Sequence, residues 1–165
     1  MRFLLTLATV LTLQATCAIA SEAAYVNMFD KRRSVLEVGL NNIVLGDLGF
    51  AVTQCANMDK FACITSKVMM FAVPRNDARI KTWTLAGASY KVLSNQEAVV
   101  FGELIKYRLI QQKWRKLTIE YAYSDERGVI GIKTNNGHQL MLTAKCGFAA
   151  ISDAYGCQSK GPGTH

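Results

Sequence analysis

The segment KWRKLTIEYAYS (113–124) alternates strictly between two sets of side chains. One face carries Arg115, Leu117, Ile119, Tyr121 and Tyr123, and the other carries Lys116, Thr118, Glu120 and Ala122. A period of two is typical of a strand that is buried on one face. The segment therefore predicts a half-buried β-strand.

The residues that follow predict a hairpin next to this strand. SDERG (124–128) has the composition of a turn, and GVIGIKT (128–134) is the next apolar run. Asn135-Asn136-Gly137 then precedes QLMLTAK (139–145). Asn-Gly tolerates the positive φ angles that a two-residue turn requires, so this stretch predicts a tight antiparallel turn.

Short apolar runs separated by turn residues continue upstream. They are VLEVGL (35–40), IVLG (43–46), GFAVTQ (49–54), CITSKVMMFAVP (63–74), RIKTWTLAG (79–87), ASYKVL (88–93) and AVVFGELIKYRLIQ (98–111). The last run predicts one long strand with a bulge at Gly102, or a strand that holds a helical turn. Trp83 and Tyr90 around Gly87, and the run Met69-Met70-Phe71, are predicted to be core.

Roughly eight to ten strands at short, regular spacing predict a mainly β protein, an antiparallel β-barrel or β-sandwich with room for one short helix. The chain has 165 residues and a net charge of +7. Its length fits one domain, which is predicted over residues 34–157. Residues 21–33 are predicted to be a lead-in, either a short helix or an unpaired arm. Residues 158–165 are predicted to be a flexible tail, since they carry Gly and Pro and no apolar face.

Residues 1–20, MRFLLTLATVLTLQATCAIA, have the three parts of a secretory signal peptide. Arg2 precedes an apolar run, and Ala18-Ile19-Ala20 predicts cleavage after Ala20. The alternative is a lipid on Cys17, but the three residues before it do not fit the bacterial lipoprotein pattern. The apolar run is too short to span a bilayer. The sequence thus predicts a secreted or periplasmic protein with no transmembrane segment in its mature chain.

The cysteines after this segment are four in number: Cys55, Cys63, Cys146 and Cys157. An even number in an exported chain predicts two disulfides, and three pairings are open. We favour Cys55–Cys63 and Cys146–Cys157, because each pair closes a short loop. Seven residues lie between Cys55 and Cys63, and ten lie between Cys146 and Cys157. Zinc sites use tighter spacings, so no metal site is predicted. No C-x-x-C motif is present, so no redox pair is predicted either.

Residues with catalytic potential are few. The sequence has no G-x-S-x-G elbow, no H-E-x-x-H helix and no phosphate-binding loop. His138 follows the Asn-Gly turn and is interpreted as an exposed turn residue. Glu103 and Glu120 on adjacent strands could form a carboxylate pair, but cross-strand ion pairs with nearby cations are the simpler interpretation. No cofactor is predicted.

The most distinctive local feature is KYRLIQQKWRK (106–116), with five basic residues in eleven positions. A hairpin turn at Gln111-Gln112 would place two basic strand ends side by side. The predicted binding residues are Lys106, Tyr107, Arg108, Lys113, Trp114, Arg115 and Lys116. Such a patch attracts anionic polymers or lipid headgroups, and the alternative is a solvated hairpin that blocks edge pairing.

Three functions follow from these features. The first is a non-catalytic binding protein of inhibitor or immunity type that recognises a protein partner. The second is a binder of anionic envelope polymer or lipid through residues 106–116. The third is a small secreted hydrolase. Nucleic acid is not an expected ligand, because the chain is predicted to leave the cytoplasm.

Overall fold

A computed structural model describes residues 23–27, 29, 35–53, 55, 57, 59–76, 79–100, 102–152 and 157. All regular structure in these residues is β-strand, and the predicted short helix is not found among them. The strands are β1 (Ala23–Asn27), β2 (Val35–Val38), β3 (Asn42–Leu45), β4 (Leu48–Thr53), β5 (Phe61–Ser66), β6 (Met70–Pro74), β7 (Thr82–Leu85), β8 (Ala88–Val100), β9 (Glu103–Trp114), β10 (Leu117–Ser124), β11 (Gly128–Thr134) and β12 (Gln139–Leu142). The predicted signal peptide and the predicted tail lie outside the described residues.

The strands form a single antiparallel sheet in the order β6-β5-β4-β3-β2-β1-β12-β11-β10-β9-β8-β7. Each strand pairs with its neighbour in the sequence, except β6 with β7. β1 and β12 pair with each other and so join the two halves of the sheet, with Tyr25 opposite Leu142. It curls into a nearly closed barrel, so the predicted antiparallel β fold is confirmed in its barrel form. The structure has twelve strands where the sequence suggested eight to ten.

The gap between β6 and β7 is bridged by side chains. The Trp83 indole Nε1 donates to the Ala72 carbonyl oxygen at 3.0 Å. Gln112 Nε2, from β9, donates to the Met70 carbonyl oxygen at 2.7 Å. Every residue of β6 is buried, and a buried carbonyl needs a donor. Side-chain donors therefore replace strand pairing along this edge of β6.

Phe71 lies at the centre of the aromatic core. Its ring centroid is 4.7 Å from that of Tyr121, 5.5 Å from that of Tyr123 and 5.6 Å from that of Phe148. Trp83 and Tyr90 stack with centroids 5.3 Å apart and rings inclined by 5°. The interpretation of these sequence runs as core is confirmed.

The C-terminal residues 146–152 pack against the β10–β11 turn. Gly147 N donates to the Arg127 carbonyl oxygen at 2.7 Å, and Val129 N donates to the Phe148 carbonyl oxygen at 2.9 Å. The Tyr25 hydroxyl donates to the Val129 carbonyl oxygen at 2.7 Å. The segment, called the C-terminal strap, thereby covers this end of the barrel and places Phe148 in the core.

Both favoured disulfides are formed. Cys55 bonds Cys63 with Cα atoms 6.3 Å apart, and Cys146 bonds Cys157 with Cα atoms 5.3 Å apart. Two disulfides indicate an oxidising compartment outside the cytoplasm. Nowhere in the described residues is there a helix of the length and apolarity needed to cross a membrane.

Three local predictions were wrong. Residues 23–27 are a strand with partners on both sides, not a helix or an unpaired arm. Gly102, with φ of 79°, lies in the turn between β8 and β9 rather than at a bulge. The β11–β12 connection is longer than a two-residue turn, since Thr134 N donates to the His138 carbonyl oxygen and Gly137 alone adopts positive φ there.

Candidate functional site

The seven predicted binding residues do not form one patch. Lys106, Tyr107 and Arg108 lie towards one end of β9, whereas Lys113 and Trp114 lie at the other end. At about 3.3 Å per residue, Arg108 and Lys113, the nearest members of the two groups, are roughly 17 Å apart along the strand. Arg115 and Lys116 form the β9–β10 turn at the second end, because Trp114 pairs with Leu117.

The predicted turn at Gln111-Gln112 was wrong for a physical reason. Gln112 is 0% exposed, and both Nε2 and Oε1 of its amide make hydrogen bonds inside the barrel. It donates to the Met70 carbonyl oxygen and to the Tyr90 hydroxyl, and it accepts from the Tyr121 hydroxyl. These partners come from β6, β8 and β10, so they keep a polar residue in the middle of a strand. The turn falls instead at Arg115, whose φ is 56°.

The β8–β9 hairpin extends beyond both of its neighbours. β7 pairs only with residues 88–91 of β8, and β10 pairs only with residues 108–114 of β9. Residues 94–100 and 103–107 therefore form a two-stranded segment, called the ribbon, with no further strand beside it among the described residues. Near its tip, Val99 and Leu104 lie directly opposite each other and are 71% and 64% exposed.

Two ion pairs hold the ribbon against the β10–β11 turn. Glu103 pairs with Arg127, whose side chain is almost completely buried. Arg108 at the base of the ribbon pairs with Asp125. Ile105, on the strand between them, is buried in the hydrophobic core. The ribbon is thus braced at both ends, which keeps the exposed apolar tip in a defined position.

An open depression of about 600 Å³ lies between the base of the ribbon and the β10–β11 turn. It is lined by Asn95, Gln96, Glu97, Lys106, Tyr107, Arg108, Tyr123 and Asp125. Three of the sequence-predicted residues therefore meet here, in the company of two carboxylates. Lys106 Nζ lies 3.7 Å from a Glu97 carboxylate oxygen, and the Tyr107 hydroxyl donates to Gln96 Oε1 at 2.6 Å.

Arg108 is a buried cation rather than the exposed one that the sequence predicted, with 8% of its surface exposed. Its guanidinium carbon lies 5.2 Å from the centroid of the Tyr123 ring, and Nη2 is hydrogen-bonded to Asp125. Nη1 is also buried and has no hydrogen-bond partner among the described residues. A buried donor without a partner costs about 1–3 kcal/mol, so such a group is normally paired, either with water or with a ligand.

Tyr123 acts as a neutral wall of the depression. Burial raises the pKa of its hydroxyl far above the ordinary value, and the nearby Asp125 carboxylate adds to this effect. The protonated hydroxyl donates to the Ala149 carbonyl oxygen at 3.0 Å. Tyr123 therefore links the depression to the C-terminal strap through a neutral hydroxyl.

The second group of basic residues lies on the outer face of the sheet. Lys91 and Lys113 are diagonal neighbours on β8 and β9, so their Cα atoms lie about 7–8 Å apart. Around them is a shallow depression of about 490 Å³ with Thr82, Thr84, Ser89 and Gln111 in its walls. We call Lys91, Lys113, Arg115 and Lys116 the basic face. Trp114 is not available for stacking on a ligand, because it is buried and Arg115 covers its ring at 4.7 Å.

The predicted carboxylate pair is not formed. Glu120 lies opposite Gln111 on β9, far along the strand from Glu103. Glu120 pairs with Lys133 at 3.8 Å, and Glu103 pairs with Arg127. The alternative interpretation, a cross-strand ion pair, is confirmed for Glu120 with Lys133, whereas Glu103 pairs with Arg127 of the β10–β11 turn. His138 is exposed in the β11–β12 connection, as expected.

The described part of the chain contains no cluster of side chains suited to bind a metal ion. There, no three His, Cys, Asp or Glu side chains are grouped so as to hold an ion.

Sequence reasoning missed Asn95, Val99, Leu104 and Asp125. Their role depends on where the β8–β9 and β9–β10 turns fall; the first turn was not predicted, and the second was placed at the wrong residues. One signal was present: in Val-Val-Phe-Gly-Glu-Leu (99–104) a glycine follows three apolar residues and precedes Glu103 and Leu104. A glycine there could have indicated a hairpin with an apolar tip.

Comparison with known proteins returned no match: no family model fits the chain, and neither a curated protein nor a solved structure is significantly similar to it.

Proposed function

We propose that the protein is a non-catalytic binding protein of inhibitor or immunity type, secreted or periplasmic, which recognises a protein partner through the tip of the ribbon. The observation that carries the proposal is the exposed pair Val99 and Leu104 on a two-stranded segment that projects beyond the sheet. Apolar side chains held rigidly in this way lose little entropy on binding. Protein interfaces place such side chains at their centre.

The surroundings of the tip support a protein ligand over a small molecule. Leu104 borders an open depression of about 400 Å³ whose other walls are polar, and the tip is flanked by the ion-paired residues Glu97, Lys106 and Glu103. An apolar centre with a charged rim is the usual composition of a protein interface. A small apolar ligand would instead need a concave site that covers most of its surface.

The proposed export begins with the predicted signal peptide, removed after Ala20. We expect the exported protein to start at Ser21, and the intact mass of the protein recovered from its native compartment tests this. A chain that starts at an acylated Cys17 would contradict the proposed cleavage and show a lipid-anchored protein.

The tip is tested by replacing both Val99 and Leu104 with serine. We expect at least a tenfold loss of affinity for the partner, since central apolar contacts are each worth more than 1 kcal/mol. The partner is isolated by affinity capture from envelope and secreted extracts at about 0.5 M salt, which screens surface charge. Binding of the purified pair is then measured by calorimetry.

Leu48→Ser is the matched control, because Leu48 is 64% exposed, as Leu104 is, but lies in the β3–β4 hairpin. It should leave the affinity unchanged. A partner that binds the double variant as tightly as the wild-type chain would exclude the ribbon tip as the interface.

The basic face favours a second candidate function, the binding of an anionic envelope polymer or lipid. None of Lys91, Lys113, Arg115 and Lys116 has a salt bridge within the described part of the chain. Close cations without carboxylates repel one another, and a bound anion relieves this repulsion. Lys106 and Arg108 are not part of the basic face, because they lie towards the other end of β9 and each is paired with a carboxylate.

The second candidate is tested with vesicles that contain phosphatidylglycerol. Lys91→Gln together with Lys113→Gln should weaken binding several-fold at about 0.05 M salt, and Lys60→Gln with Lys67→Gln should do so much less. The two double variants remove the same charge, so equal losses would show a general charge effect and refute a specific basic face.

A further inference from the structure

We propose that the depression beside Arg108 is a carboxylate-binding site, in which Nη1 of Arg108 donates a hydrogen bond to a small organic acid or to an acidic side chain of a partner. This inference goes beyond the proposed function, because it holds whether or not a protein docks on the ribbon tip. It rests on three observations: the buried guanidinium, its unused donor and the open depression that the residue lines.

Two contacts hold the Arg108 guanidinium in place and leave its Nη1 atom without a partner among the described residues. Asp125 occupies Nη2, and the Tyr123 ring lies 5.2 Å from the guanidinium carbon. These two contacts fix the plane of the group, which leaves Nη1 in a defined direction. Arginine binds carboxylates through such a fixed, planar set of donors.

The charges around the depression disfavour a dianion more than a monoanion. Lys106 is balanced by Glu97, and Arg108 is balanced by Asp125. One donor remains unused, but no cation remains uncompensated, so a phosphate dianion would add more negative charge than the site neutralises. The neutral polar groups of Asn95 and Gln96 suit the organic part of a small acid.

A ligand would reach Nη1 through the depression that Arg108 lines. The atom lies beneath the surface, but Asn95, Gln96 and Glu97 in the wall are exposed side chains. Exposed side chains change rotamer within nanoseconds, which is fast compared with ligand binding.

The first test titrates the full chain with acetate and with acetamide, its neutral isostere. The probe is the NMR resonance of Arg108 Nε, assigned by its loss in Arg108→Gln. We expect acetate to shift this resonance with saturation in the millimolar range, as for one charge-assisted contact, and acetamide to leave it in place. An identical response to the two compounds, or no response to either, would overturn the proposal and indicate that water satisfies Nη1.

Two further variants keep the test decisive if Arg108→Gln does not fold. Asp125→Asn removes the carboxylate that competes for the guanidinium, so acetate should bind several-fold more tightly. Asn95→Asp places a carboxylate on the residue directly opposite Arg108 in the β8–β9 register. This built-in acid should raise the melting temperature by a few degrees and abolish acetate binding. Unchanged acetate affinity in both variants would refute the site.

The source of the carboxylate is resolved by a second pair of ligands. A glutamate residue blocked at both termini represents a partner's side chain, and acetate represents a free acid. Tighter binding of the blocked glutamate favours the partner, and equal binding favours a free acid; both support the site. The Val99→Ser, Leu104→Ser variant should retain acetate binding, which separates failure of this site from failure of the ribbon tip.

Discussion

Replacing Gly147 by alanine is expected to destabilise the protein by about 4 kcal/mol or more, since overpacking against a rigid backbone is among the costliest single changes. A Cβ atom at this position would lie 1.9 Å from the Val129 carbonyl oxygen and 2.8 Å from the Tyr25 hydroxyl oxygen. Neither atom is free to move: Val129 lies in β11, and the Tyr25 hydroxyl is hydrogen-bonded to that same carbonyl. Denaturant unfolding of the purified chain measures the loss.

Gly49→Ala provides the comparison for this prediction. A Cβ atom there meets nothing within 4 Å, and Gly49 lies in a strand without positive φ. Its free energy of unfolding should change by no more than about 0.5 kcal/mol. If Gly147→Ala were equally mild, the close packing of the C-terminal strap on β11 would be wrong.

The second large effect is expected at Gln112, where Gln112→Leu should cost about 3 kcal/mol. Leucine fills a similar volume but offers no hydrogen bonds. The Tyr90 hydroxyl would lose its partner, and the Met70 carbonyl oxygen and the Tyr121 hydroxyl would each lose one of two. Each buried polar group left without a partner costs about 1–3 kcal/mol. The free energy of unfolding is again the quantity to measure.

Gln111→Leu tests whether this loss comes from the network rather than from a change of residue type. Gln111 is adjacent on β9 but belongs to the outer face and is only partly buried. We expect a change within about 0.5 kcal/mol. Equal losses at both positions would show that the buried network contributes little.

The β architecture could be predicted because it depends on local patterns, namely the alternation of apolar and polar residues and the turn residues between them. The alternation in residues 113–124 placed Ile119, Tyr121 and Tyr123 on the inner face, where the structure buries them. The same alternation was carried too far upstream to Arg115, which lies in a turn. A period of two gives the face of each side chain but does not give the residue at which the strand begins.

The buried polar residues could not be predicted, because their partners are distant in the sequence. Gln112 bonds Met70, which lies 42 residues away, and Arg108 bonds Asp125, which lies 17 residues away. A glutamine pair between basic residues therefore resembles a turn, and an arginine in a basic run resembles a surface cation. The depression at Arg108 depends on this long-range pairing, so the sequence indicated some of its residues but not their environment.

The pairing of β1 with β12 also determines how the protein can be made. Tyr25 bonds groups that lie 104 and 123 residues further along the chain. Contacts between such distant residues slow folding, because a long loop must close before they form. During synthesis β1 emerges first, and its partner on this side is the last strand to appear. A chain that stops short of β12 therefore cannot complete the sheet, and folding of the sheet finishes only after residues 139–142 have been made.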